Sequence, residues 1–147
     1  VQHQSRRDAR RHAFRLIFQF PYHNVWDAQA LAAATAHYYD GLEEGERPRG
    51  RNAEYVLRAV TGASDRLAQL DGVIENFLQE WTIERLNRVD LALMRLAIYE
   101  MLCEEDVPHG VAVNEAVELA KEYGTDESPA FINGVLGNIS REITREK

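Results

Sequence analysis

The chain has a single cysteine, Cys103, which rules out an intramolecular disulfide and makes a reducing compartment, the cytoplasm, the expectation. Its N-terminus lacks the charged, apolar, then small-residue pattern of a cleaved export signal. No apolar run reaches the roughly 18 residues that would suggest a membrane span, so no membrane partner is expected. Low-complexity tracts and internal repeats are also missing. There is no glycine-rich phosphate loop, no nucleophile elbow and no kinase-like motif series. His3, His12, His23, His37 and His109 are scattered, with none four residues from another and none beside Cys103, so no metal ligand set forms. These absences point to a binding protein rather than an enzyme, without cofactor or metal. Cys103 itself reads as a small core residue.

What is present is helical spacing on a chain of 147 residues, 45% hydrophobic, enough for one domain with a real core. Ser5 as N-cap and Pro21 as stop bracket a first helix of about four turns. A second helix is predicted from Asp27 to Tyr39, ended by Asp40-Gly41, followed by a surface connection, GLEEGERPRG, made locally basic by Arg47, Arg49 and Arg51. Apolar residues recur every three or four places from Asn52 to about Leu78, as one long helix or two, with Gly62 or Ser64 as break points. Thr82 caps a short TIERL turn and Asn87 the next helix, Val89 to Leu102, which is apolar nearly all round and so belongs at the centre of the fold. A further helix runs from Val111 to Tyr123, and the last opens with Ser128-Pro129 as N-cap and first residue. Gly134 is read as permitting close approach of a neighbouring helix. Nothing alternates with period two, so the fold class is all-α, about seven helices in two small bundles sharing the Val89 helix.

Charge is unevenly placed. Residues 1–20 hold five arginines against one acid, a net +4, and since the whole chain carries −7 the other 127 residues carry −11. A compact cationic helix on an acidic body suits a localised anionic ligand. At about 100° per residue, Ala9, Ala13, Leu16, Ile17 and Phe20 form a core stripe. Arg7, Arg11, Phe14 and Phe18 align on the other side, with Arg6, Arg10 and Arg15 alongside. Guanidiniums beside aromatic rings can serve the phosphates and the bases of single-stranded RNA. An alternative from a different class is a protein-interaction or self-associating module, possible as a homodimer, in which Phe14, Phe18 and Tyr22 make the contact. Glu100 and Glu115 interrupt apolar helices and are expected to be partnered, by Arg95 or a helix end.

Three segments in order, NRVDLALMRLAIYEML, VPHGVAVNEAVELAKEYG and SPAFINGVLGNI, together with the N-terminal SRRDARRHAFRLIFQF, strongly resemble the NusB family of bacterial transcription antitermination factors. The resemblance implies an all-helical fold of two subdomains, roughly 5–82 and 83–147. It also implies binding of boxA-type RNA from ribosomal RNA leaders, together with NusE, which is also a small-subunit ribosomal protein, and joining of the elongating RNA polymerase complex through other Nus factors. Carried over residue by residue, it places RNA on Arg6, Arg7 and Arg10, with Arg11 beside them, and on a second patch of Glu127, Ser128 and Phe131. NusE-facing positions map to Phe18, Tyr22, Glu84 and Asp90. The chain departs from the family pattern at Asp8, where relatives often continue the basic run, at Ala130, where many have lysine, and at Gly137, where aspartate is frequent.

Overall fold

The computed structural model describes residues 5–21, 26–78 and 82–146, which form seven α-helices and no strand. Helix α1 spans Arg6–Phe18. Its start is fixed by a reciprocal cap: Ser5 Oγ accepts from the Asp8 backbone N–H while the Asp8 carboxylate accepts from the Ser5 N–H. Asp8 thus works as part of the helix signal. At the other end Arg88 donates to the carbonyls of Phe18 and Phe20, which α1 can no longer satisfy internally.

Asp27 caps α2 (Ala28–Asp40), accepting from Ala30 N–H at 2.7 Å, yet no α2 residue is buried. The helix is held at its ends, by Trp26 edge-on to Phe20 and by Tyr38 against His12. The connection after it makes one 3₁₀ turn, Glu44–Glu46. Helices α3 (Gly50–Asp65) and α4 (Leu67–Asn76) divide the next segment, with the break at Arg66 rather than at Gly62 or Ser64. After the 3₁₀ turn Ile83–Arg85, Asn87 caps α5 (Arg88–Cys103) through the Val89 N–H. Helix α6 is His109–Tyr123 and α7 is Ser128–Glu146.

Helix α5 packs against α1, α3, α4, α6 and α7, and every residue from Asp90 to Met101 is buried. A helix apolar on all sides is stable only when enclosed, and this one is. Close approach of α3 is secured by Gly62: a Cβ built there would lie 2.3 Å from Cε1 of the buried Tyr99 ring. Gly62 is therefore a packing glycine, not a helix break. Gly134, expected to fill that role on α7, has no atom within 4 Å of its would-be Cβ and faces open space. Cys103 is half-buried against the core.

Two buried ion pairs cross-link the helices. Arg95, 1% exposed, donates Nε and Nη2 to Asp71 of α4 at 2.8 and 2.7 Å. Arg10, 6% exposed, donates Nε and Nη2 to Glu100 at 3.0 Å each, and Nη1 to Glu115 at 3.2 Å. The expectation that Glu100 pairs with Arg95 is corrected. Five positions apart, the two project about 140° from each other around α5, so each meets a different neighbouring helix.

Two consequences are testable. Gly62→Ala gains about 1 kcal/mol of helix propensity but drives a methyl into a fixed ring, so urea unfolding should show a net loss of about 1–2 kcal/mol. A gain would contradict the close α3–α5 contact. Arg10→Ala strands a buried carboxylate and should cost about 3–5 kcal/mol, whereas Arg10→Met combined with Glu100→Leu should recover most of it. A loss below about 1 kcal/mol in the single variant would show that Arg10 is not buried.

Candidate nucleic-acid interface

The five arginines of α1 do not stand clear of the molecule as a free cationic face. Arg10 is removed from the accessible set altogether. It lies about 20° from Ile17 around the helix, at the edge of the core stripe, so folding carries it inward with that stripe. The other four leave α1 in two directions.

On the α6 side, Arg7 grips Glu115, with Nη2 to Oε2 at 2.6 Å, and keeps 49% of its side chain exposed. Hydrogen bonding from Arg7, then its charge and that of Arg10, hold the Glu115 carboxyl below the usual carboxylate range although burial pushes the other way. Arg11 pairs with Asp8 and with Glu122, so its charge is compensated twice. Arg15 differs. Its Nε and Nη2 donate to the Tyr123 hydroxyl at 3.2 and 2.8 Å, its guanidinium lies 5.7 Å from that ring, and it is exposed. Phenol hydroxyls are neutral partners, so the charge of Arg15 survives. On the α3 side, Arg6 donates to Asn52 Oδ1 at 3.1 Å and sits 4.5 Å over the Tyr55 ring, also neutral company.

Phe14, placed by spacing with the outward group, is 3% exposed and covered by Tyr123 at 4.9 Å between ring centroids. Phe18 does reach solvent, 37% exposed, with the Arg88 guanidinium 5.2 Å from its ring. Sequence reasoning missed Tyr123 as a site residue, having read it only as the end of a helix. Its signal was present in the placement of an aromatic directly before the glycine that turns the chain into α7.

The start of α7 lies beside this Tyr123 end of α6. Glu127 is exposed and Phe131 half-buried. Ser128 is 1% exposed and does not cap the helix as expected: the Phe131 N–H goes to the Glu127 carbonyl, and the Ser128 hydroxyl accepts from the Thr125 N–H at 3.0 Å. Its hydroxyl also lies 3.2 Å from the Thr125 hydroxyl. Gly124 makes this possible, since a Cβ there would fall 2.5 Å from Ser128 Oγ. Ser128 therefore fastens the α6–α7 turn from within and offers nothing to a ligand directly.

Of the positions mapped to a protein partner, Phe18 is exposed at the end of α1, beside Arg88 of α5, and Glu84 is exposed in the short turn before α5. Asp90 is 7% exposed, and burial pushes its carboxyl above the usual range, partly offset by Ser128. Its short side chain at the first turn of α5 folds under rather than outward, so it is corrected from a surface contact to an internal one. Tyr22 lies outside the described residues. Among the described residues no group of three or more His, Cys, Asp or Glu side chains could hold a metal, and no helix is long and apolar enough to cross a membrane.

Comparison with known proteins places this geometry. The family model described as the NusB family matches residues 7–141. The transcription antitermination protein NusB of Acetivibrio thermocellus is 42% identical over 134 residues, covering 91% of this chain and 87% of the relative. Among solved structures, T. maritima NusB superposes with a TM-score of 0.82 at 33% identity, covering 96% of this chain and 94% of that one. A crystal structure of the antitermination factors NusB and NusE in complex with dsRNA superposes with a TM-score of 0.76 at 24% identity, covering 93% and 96%, a likeness of fold. With the enclosed α5 and the α6–α7 turn lying inside the matched residues, the chain belongs to the NusB family.

Proposed function

We propose that this chain is a transcription antitermination factor that binds boxA-type single-stranded RNA and NusE, and through other Nus factors joins the elongating RNA polymerase complex in the cytoplasm. The observation that carries the proposal is the family match over residues 7–141, whose curated relatives are named transcription antitermination proteins. A solved assembly of NusB, NusE and dsRNA on the same fold supports the choice of partners.

The RNA follows the α6-facing edge of α1. Arg7 and Arg11 present the outer edges of guanidiniums already held by Glu115 and Glu122, so they are positioned before RNA arrives. Arg15 supplies an uncompensated charge farther along, next to Tyr123. Phe131 and the exposed Glu127 border the path where α7 begins, and the N-terminal end of that 19-residue helix adds partial positive charge. Arg10 and Ser128 act from beneath, fixing α1 and the α6–α7 turn. NusE docks past the C-terminal end of α1, beyond Arg15, over Phe18, Arg88 and Glu84. Because the acidic side chains in the ion pairs cancel much of the α1 charge, RNA affinity of the chain alone is modest and rises with NusE.

A gel-shift comparison of a boxA-type RNA with a scrambled one, each with and without NusE, tests the assignment. The boxA-type RNA with NusE should give the tightest complex. Arg7→Gln combined with Arg15→Gln should weaken it about tenfold, lower the salt slope by roughly 1.4, and leave the helical circular dichroism unchanged. Equal affinity for boxA-type and scrambled RNA in every condition would overturn the assignment.

A further inference from the structure

The α1 ion pairs redirect attention to cations that have no such partner. Arg6 keeps its charge because its hydrogen-bond partner, Asn52, is neutral. Asn52 lies in the first turn of α3, where its backbone N–H reaches the Arg49 carbonyl at 3.2 Å. The N-terminal ends of α1 and α3 thus meet, and Arg6, Arg49 and Arg51 share that meeting point. Arg49 and Arg51 are exposed, and among the described residues neither guanidinium has an ion pair or a hydrogen bond.

Carboxylates close in sequence do not cancel them. Glu46 turns back on its own loop, accepting from the Glu43 N–H at 3.1 Å, and acts on His12. Glu54, one turn beyond Arg51 on the same side of α3, forms no ion pair with it and adds to the field at Arg58. Glu104 feels Arg6, but its oxygens are taken by Arg58 and the Tyr99 hydroxyl at 2.9 and 2.8 Å. On a chain of net charge −7, three arginines at one junction that form no ion pair with the described residues make a local positive patch. Between Arg49 and Arg51, Gly50 has no atom within 4 Å of its would-be Cβ, so approach to the start of α3 is open.

We infer that Arg49 and Arg51 form a second phosphate-binding cluster that takes the RNA strand onward as it leaves the N-terminal end of α1 past Arg6. The inference rests on the RNA reading above and extends it from one helix edge to a track across two. A polyanion with evenly spaced charges fits cations set out in this order: Arg15 beside Tyr123 toward the C-terminal end of α1, Arg7 and Arg6 in its first turn, and Arg49 and Arg51 at the start of α3, which Asn52 joins to Arg6. The cluster contributes charge and not base recognition, since no exposed aromatic ring lies with it. Its effect therefore depends on the length of the RNA and not on its sequence.

The test uses the full chain with NusE and two labelled boxA-type RNAs, one of about 6 nucleotides, which covers the α1 edge alone, and one of on the order of 14. Arg49→Gln with Arg51→Gln should weaken the long RNA about five- to tenfold, reduce its salt slope by roughly 1.4, and leave the short RNA unchanged. Arg49→Lys with Arg51→Lys should restore most of the slope, because charge rather than fork geometry is what the cluster supplies. If the long RNA keeps its affinity and slope in the glutamine variant while Arg7→Gln with Arg15→Gln weakens it, the RNA reading stands and the cluster is not part of it. Equal weakening of short and long RNA also overturns the cluster. Absence of RNA binding by the unmodified chain with NusE overturns both readings together.

Discussion

Arg10 is the fixed point of this molecule. A guanidinium at 6% exposure can persist only if its charge is met, and each of its three nitrogens donates to a carboxylate from one of two other helices, Glu100 of α5 or Glu115 of α6. That triad sets the rotation of α1 about its own axis. Once Arg10 points inward between α5 and α6, Arg7 and Arg11 must lie along α6, Arg6 must turn toward α3, and Phe18 must emerge at the far end. The distribution of charge over the surface follows from where one buried charge has to go. Desolvation makes the pairing costly to break, and that cost is what gives the interface its definition.

The acidic body has a second role that total charge conceals. Glu115 and Glu122 do not merely dilute the arginines; they hold them. A guanidinium already bound on one edge loses little further side-chain entropy when a phosphate meets the other edge, but offers less net charge. On the proposed RNA path the α1 edge would supply geometry more than raw attraction, and attraction would fall to the cations with neutral partners, Arg15 and Arg6, and to the proposed Arg49 and Arg51 cluster. Such a division suits a protein that must engage RNA in an assembly without adhering to nucleic acid at large.

Much of the architecture was legible beforehand because its signals are local. Ser5, Asp27 and Asn87 cap helices through backbone groups two or three residues away, and such contacts depend on neighbours in sequence. The central position of α5 followed from its lack of a polar face. The misreadings share one physical origin. Gly62 was a break candidate and became a packing contact because Tyr99, on another helix, needs the space. Ser128 looked like a cap, and Asp90 like a surface contact, but both are buried, Ser128 with its hydroxyl on Thr125. Gly134, assigned to close packing, meets no helix at all.

Spacing and composition by themselves determined that the chain is all-helical, where its helices begin, which helix is enclosed, that cations gather in the first twenty residues, and, through its motifs, its family. Only the tertiary structure decided which of those cations remain available. Apart from Asp8 on α1 itself, the carboxylates that bind them are remote: Glu100, Glu115 and Glu122 stand 90, 108 and 111 residues from Arg10, Arg7 and Arg11. A charge is accessible or neutralised according to what lies within about 4 Å of it, and no periodicity along one helix records what another helix will bring to that distance.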